Sequence, residues 1–411
     1  MSRTTITVKP SGNVIAKTAE PFREPKPGLN RGVVLLAFLA FGNFLGTTSN
    51  SFLPLYLTGY LHLPVESASL VTSVRGLAAF TASYCIGAVM DRFGPRATAV
   101  VSLAGIAIAY MLVPSTANPV GLAVLIGAVA VGRTAFRPSY NAQKVMICTE
   151  AEYARAYSLF LMATNGGLGL AAIAGSFLMT FSPPGMFYVD ALVCGLVALA
   201  ASVIFKSRDP VQSRGEENVT LPAWRNFGFL VPCSIYFLVE LSKSQAVFLL
   251  PISLTNAQYI TPVMWGYMQS VTSLSVLSLS LVVSTFLKAK NQSAAIAAGA
   301  FLLCSGLAGT GLAVEAPTRS VCWGIYCIGE VVFYPALMRT VMARFPAGGA
   351  GRYTSFYYSW SFLAAIVGPI FAGYVYVHVG SRLVWSICFG LGVVAAATAT
   401  YFGRISRRGP A

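Results

Sequence analysis

Long apolar runs recur about twelve times along this chain, separated by short polar gaps, and no other feature restricts its folding as tightly. A helix needs roughly 17–25 apolar residues to cross the ~30 Å hydrocarbon core of a bilayer. Runs of that length fall near 32–55, 66–90, 97–114, 120–142, 156–181, 186–206, 227–253, 263–287, 293–314, 320–343, 353–376 and 383–403. In lipid, every backbone N–H and C=O must be satisfied inside the protein. A β-barrel would show short segments of alternating polarity, which these runs lack. The expected fold class is therefore an all-α polytopic membrane protein with 12 transmembrane helices. Composition supports a lipid solvent: only 10% of the 411 residues are charged and 56% are hydrophobic, against roughly 25% charged in soluble domains.

The net charge of +15 does not point to nucleic acid. A nucleic-acid domain gathers its basic residues on one folded polar face, whereas here they sit in the gaps between runs. Their distribution sets an expected orientation, because cytoplasmic loops retain Lys and Arg. With the N-terminus inside, that side collects Arg31, Arg92, Arg96, Lys144, Arg155, Lys206, Lys288, Arg339, Arg344, Arg352 and Arg404, while the opposite side keeps Arg319 and Arg382. Both termini are expected in the cytoplasm. Residues 1–31 read as a polar tail rather than a cleavable signal peptide, 207–226 as a linker, and 404–411 as a second tail. The linker separates two six-span units, 32–206 and 227–403. The eight cysteines lie mostly inside apolar runs and predict neither a disulfide framework nor a zinc site.

The two units align at a constant offset of 197 residues. Leu53-Pro54 matches Leu250-Pro251, Ser73-Val74 matches Ser270-Val271, Gly132, Phe136 and Pro138 match Gly329, Phe333 and Pro335, and Arg155 and Ser158 match Arg352 and Ser355. Four clusters sharing one offset argue for a duplicated six-helix unit. Such a repeat places a solute site where the halves meet, near the membrane midplane.

Between the second and third runs stands Gly87-Ala-Val-Met-Asp91-Arg92-Phe-Gly94-Pro-Arg96. It resembles the loop signature of the major facilitator superfamily, and the resemblance covers the whole chain after the tail. It implies two pseudo-symmetric bundles working by alternating access, with spans one, four, seven and ten around the cavity. It also implies that Asp91 latches one state by facing the positive N-terminal end of the eleventh span. Gly87 would admit a neighbouring helix, Gly94 would allow a tight reversal, and Arg92 and Arg96 would anchor the loop. The stretch Asn165 to Gly175 is similar in part to the fifth span of drug:proton antiporters, but Ala171-Ala172 stand where that family has Gly-Pro. The eleventh run does carry Gly368-Pro369, expected in helix packing or gating. Arg75 and Phe136-x-Pro138 also look like bacterial multidrug exporters. The resemblance implies a monomer in a bacterial inner membrane that exports a small amphipathic organic solute in exchange for protons. A proton-coupled importer or facilitator, and a non-transporting sensor or assembly partner, remain open alternatives.

Seven ionisable residues lie within the runs: Arg75, Arg133, Arg137, Asp190, Glu240, Lys243 and Glu330. Each costs at least about 2.5–3.5 kcal/mol at the midplane, which makes intramembrane charges functional candidates. Arg133 and Glu330 are equivalent under the repeat and are expected to interact across the cavity. Glu240 and Lys243, three apart on one helix, are expected to pair locally; their first-half counterparts are Asn43 and Gly46. Glu240 and Glu330 are the proton-coupling candidates. Arg137 is expected to reach toward the interface, and Asp190 to be structural. Tyr236, Trp265, Tyr326, Tyr357, Tyr358 and Trp360 read singly as packing residues. No phosphate-binding G-x-x-x-x-G-K-[ST] stretch is present, so neither ATP nor any cofactor or metal is expected. No nucleophile–base constellation points to an enzyme.

Overall fold

The computed structural model describes residues 30–148, 152–206, 226–286, 292–345 and 350–407. The linker and both chain ends beyond those limits fall outside the described residues, as do Lys288 and the side chain of Arg352.

Among the described residues the chain is helical throughout, and its spans follow the apolar runs. The first span is α1 (Arg31–Leu45) followed by a one-turn α2 (Leu53–Leu55) and a π-helical turn at Tyr56–Tyr60. The second and third spans form one helical run, α3 (Val65–Leu112). Then come α4 (Pro119–Ile147), α5 (Tyr153–Phe181) and α6 (Gly185–Ile204). The second half repeats the order with α7 (Phe227–Val247) and α8 (Leu249–Asn256), α9 (Pro262–Phe286), α10 (Gln292–Leu312), α11 (Ala316–Met342), α12 (Ala350–His378) and α13 (Ser381–Arg407). These segments make twelve spans.

Two boundaries depart from expectation. Spans two and three are not separated by a loop: the chain reverses at Gly94, whose φ of 79° and ψ of 159° kink α3 just before Pro95. Only glycine takes that conformation readily, and the helical register resumes at once on either side. The last helix also continues through Arg404 to Arg407, where a tail was expected.

The halves meet along spans two and eleven, five and eight, and the last turns of one and seven. Small residues let the backbones close in. A Cβ built on Gly76 would lie 2.9 Å from the Ala365 carbonyl carbon, so span two crosses span eleven backbone to backbone. Ser270 Oγ donates to Gly169 O at 2.9 Å, and Trp265 Nε1 donates to Ser51 O at 3.0 Å. The end away from the basic loops is plugged by buried Phe52, Tyr56, Leu57, Leu250, Leu254 and Trp265. At the basic end, Tyr84, Cys85 and Gly87 to Val89 are all exposed, while Ala82 and Ile86 on the other face stay packed on Ala135 of α4.

Candidate functional site

The first span breaks near the middle of its own length, and the polar residues of the first half are arranged around that break. Gly46-Thr-Thr-Ser-Asn-Ser-Phe52 separates α1 from α2. A break of this kind is tolerated in lipid only where other groups satisfy the freed backbone. On one side Asp190, fully buried in α6, accepts from the Thr48 and Ser49 backbone amides at 2.7 and 2.9 Å and from their hydroxyls at 2.8 and 2.6 Å. On the other side Arg133 of α4 takes the freed carbonyls: it donates to Asn43 O at 2.9 Å, to Asn43 Oδ1 at 2.7 Å, and to Gly46 O. Tyr110 sits beside Arg133, Asp190 and Ser49. Arg75 donates to Asn50 Oδ1 at 2.6 Å. A carboxylate and a guanidinium thus staple the two exposed ends of one helix break.

The second half has the same architecture with different chemistry. Its seventh span is interrupted only at Phe248, between α7 and α8. Lys243 Nζ contacts Glu330 Oε1 of α11 at 2.6 Å, with side-chain exposures of 27% and 13% that put the pair inside the protein but within reach of water. Lys243 also lies 4.5 Å from the centroid of the Tyr334 ring. Tyr334 Oη donates to Glu240 Oε1 at 2.5 Å. Glu330 Oε2 is buried without a hydrogen-bond partner. Next to Glu240, Tyr236 stacks on Tyr357 with centroids 4.3 Å apart. Glu240, Lys243 and Glu330 therefore form one cluster walled by tyrosines.

Two expected pairings are not the ones formed. Arg133 and Glu330 do not meet across the cavity, because each turns onto the first span of its own half, where closer acceptors or donors lie. Lys243 bonds Glu330 on the neighbouring helix rather than Glu240 on its own. Glu240 is instead held by the Tyr334 hydroxyl. Arg137 stays at the seam, its guanidinium 5.0 Å over the Tyr358 ring of α12, so it bridges the halves.

The loop motif is in place, but its expected latch is not engaged. Asp91 is exposed and carries no hydrogen bond or ion pair among the described residues. Nothing lies within 4 Å of a Cβ built on Gly87, so no helix packs there in this state. Arg92 lies 5.5 Å from the Phe93 ring, and Arg96 Nη2 donates to Ser202 O, tying span three to span six. Gly368 lets Ser244 and Gln245 of α7 approach α12, and Pro369 sits inside that helix.

Sequence reasoning missed Thr48, Ser49, Asn50, Tyr110 and Tyr334. A signal for the first three was present: a run of consecutive polar residues interrupts an otherwise apolar span. Tyr334 carried no such mark, since a tyrosine in a span reads as packing.

Comparison with known proteins agrees with this geometry. The model of the Major Facilitator Superfamily matches residues 36–326. The chain is 23% identical over 381 residues to the uncharacterized MFS-type transporter YttB of Bacillus subtilis, covering 90% of this chain and 96% of the relative. It is 25% identical over 260 residues to the multidrug resistance protein MdtH of Photorhabdus laumondii, covering 61% of this chain and 63% of that protein. The nucleoside transporter NupG superposes with a TM-score of 0.78 at 15% identity, over 90% of this chain and 99% of the other. A POT family transporter in complex with a thioalcohol-conjugated peptide superposes with a TM-score of 0.76 at 15% identity, over 92% of this chain and 96% of the other. Twelve spans in two matched halves, a kinked loop motif after the second span and a family match over most of the length lead to one assignment: the chain belongs to the Major Facilitator Superfamily.

Proposed function

We propose that this protein is a proton-coupled secondary transporter that exports a small amphipathic organic solute by alternating access. The observation that carries the reading is the Lys243–Glu330 pair at 2.6 Å, buried in mid-span beside Glu240. An ion pair in a low-dielectric seam holds only while both partners keep their charge. Protonating Glu330 releases Lys243, and Glu240 stands one helical turn away to receive it. A proton thereby changes which groups hold spans seven and ten together, and that change biases the rocking of the halves. The kinship with a multidrug resistance protein favours export over import.

The state described, plugged at one end and parted at the basic end, fits an inward-facing transporter with both termini cytoplasmic. Asp91 then engages the start of the eleventh span only when the basic end closes. The seam between spans one, four, seven and ten takes the solute, with Arg137 and the tyrosines on its wall.

The test is transport in vesicles reconstituted with the purified protein, with internal pH and solute content followed together over a panel of amphipathic solutes. Exchange predicts proton movement opposite to the solute, abolished by Glu330→Gln. Solute movement with the proton would make the protein an importer. No solute movement, with Glu330→Gln and Asp91→Ala leaving the cellular phenotype intact, would leave the non-transporting reading standing.

A further inference from the structure

A carbon-lined slot runs down the outer face of the first half, away from the seam, and ends in positive charge. It lies between the part of α3 after Gly94 and α6, which pack together. Ala104, Ala107, Met111, Leu192, Gly195 and Leu196 are among its lining residues, and its volume is about 800 Å³. Small side chains form its floor, while Met111, Leu192 and Leu196 stand out as exposed walls. At Val100 and Ser202 the slot joins a second depression lined by Phe93, Gly94, Arg96 and Ala97. From Met111 to Arg96 it runs roughly 20 Å along the helix, at about 1.5 Å per residue. That exceeds half the thickness of a hydrocarbon core of ~30 Å.

The basic mouth is built into the fold. Arg96 Nη2 donates to Ser202 O, which holds the guanidinium over the mouth. A guanidinium has several further N–H donors, and they remain for another ligand. Lys206 lies just past the end of α6, exposed, with its backbone held by the Gln143 side chain of α4. Arg92 lies on the other side of the Gly94 kink, and these three cations outnumber Asp91, the carboxylate of the loop motif.

We propose that this slot holds a resident anionic phospholipid of the leaflet at the basic end. One acyl chain lies on the Ala104–Gly195 floor, and the phosphate is bound by Arg96 with Lys206 beside it. The charge at the mouth selects this occupant over a second copy of the chain. A twofold-related copy would bring an identical basic mouth toward this one, and like charges repel. The transported solute is a poor match, because apart from Tyr188 and Ser202 the slot is lined by apolar residues, and none of its lining residues belongs to spans one, four, seven or ten. Guanidinium–phosphate pairing and the general attraction of basic helix ends for anionic headgroups supply the affinity. The proposal is independent of transport direction and coupling.

The test is native mass spectrometry of the purified full chain from mixed micelles of phosphatidylglycerol and phosphatidylcholine with identical acyl chains. The wild type retains phosphatidylglycerol preferentially. Lys206→Gln still binds lipid but loses about fivefold of that preference, the effect of one cation near a lipid surface. Gly195→Phe loses retention of both lipids, since the nearest atom to a Cβ there is Ala107 Cβ at 4.0 Å and the ring fills the slot. Monodispersity and an unfolding midpoint for Gly195→Phe equal to the wild type's separate a filled slot from a misfolded protein. If it misfolds, Lys206→Gln alone decides. Equal retention of the two lipids by the wild type, an unchanged preference in Lys206→Gln, or a dimer cross-linked through Leu196→Cys would overturn the proposal.

Discussion

Arg133 and Glu330 occupy matching positions in the two halves, and each reaches the same point on the first span of its own half. Arg133 donates to Gly46 O, and Glu330 binds Lys243, which stands where the repeat places Gly46. One contact has thus been kept through duplication while its chemistry has diverged. In the first half a cation faces neutral carbonyls, and no proton within the physiological range alters that bond. In the second half both partners are ionisable. Under the proposed coupling, the second half would carry the switchable element and the first the fixed one.

Glu330→Gln removes the charge that holds Lys243 and leaves that ammonium uncompensated, a loss of about 3–5 kcal/mol for a broken buried pair. The unfolding midpoint in detergent should fall. Lys243→Met combined with Glu330→Gln should regain most of it, because neither charge is then stranded. The double variant should still show no dependence of transport on the pH gradient. A pH-dependent double variant would remove the pair from the coupling mechanism.

Asp190→Ala should be among the most destabilising substitutions in the first half. It strips four hydrogen bonds from Thr48 and Ser49 at a buried helix break. Each buried donor left unsatisfied costs about 1–3 kcal/mol, a loss read as poor monodispersity and a lowered midpoint. Asp190→Asn should fall between, since the amide oxygen still accepts from one residue. An unchanged midpoint in Asp190→Ala would mean that the break does not depend on this staple.

Gly76→Leu should force spans two and eleven apart at their crossing, where the backbone of Ala365 lies within 3 Å of the added carbon. The plugged end should loosen. A cysteine placed at Ser69, which packs on Gly373 next to that crossing, should then react with a membrane-impermeant thiol reagent faster than in the wild type. Equal rates would show that the crossing does not seal that end.

Asp91→Asn should shift the population toward the conformation parted at the basic end. The carboxylate makes no bond in that conformation, so the substitution subtracts only from the closed one. Spin labels at Val89 and Ser355 should report a longer mean distance than in the wild type. Unchanged distances would argue against a latch at this loop.

The span pattern, the six-plus-six division and the reversal at Gly94 were legible in the sequence, because lipid leaves a long apolar run no alternative to a helix. The equivalence of Arg133 and Glu330 was legible too, from the repeat alone. Which atoms they bond was not. A repeat fixes where a side chain starts, but its partner depends on which acceptors the neighbouring helices bring within reach. For Arg133 these are carbonyls that exist as acceptors only because the first span breaks at Gly46. For Lys243 the carboxylate on α11 won over the one on its own helix, which Tyr334 already holds. Sequence periodicity determined what lies in the membrane, and tertiary packing alone decided which buried charges face one another.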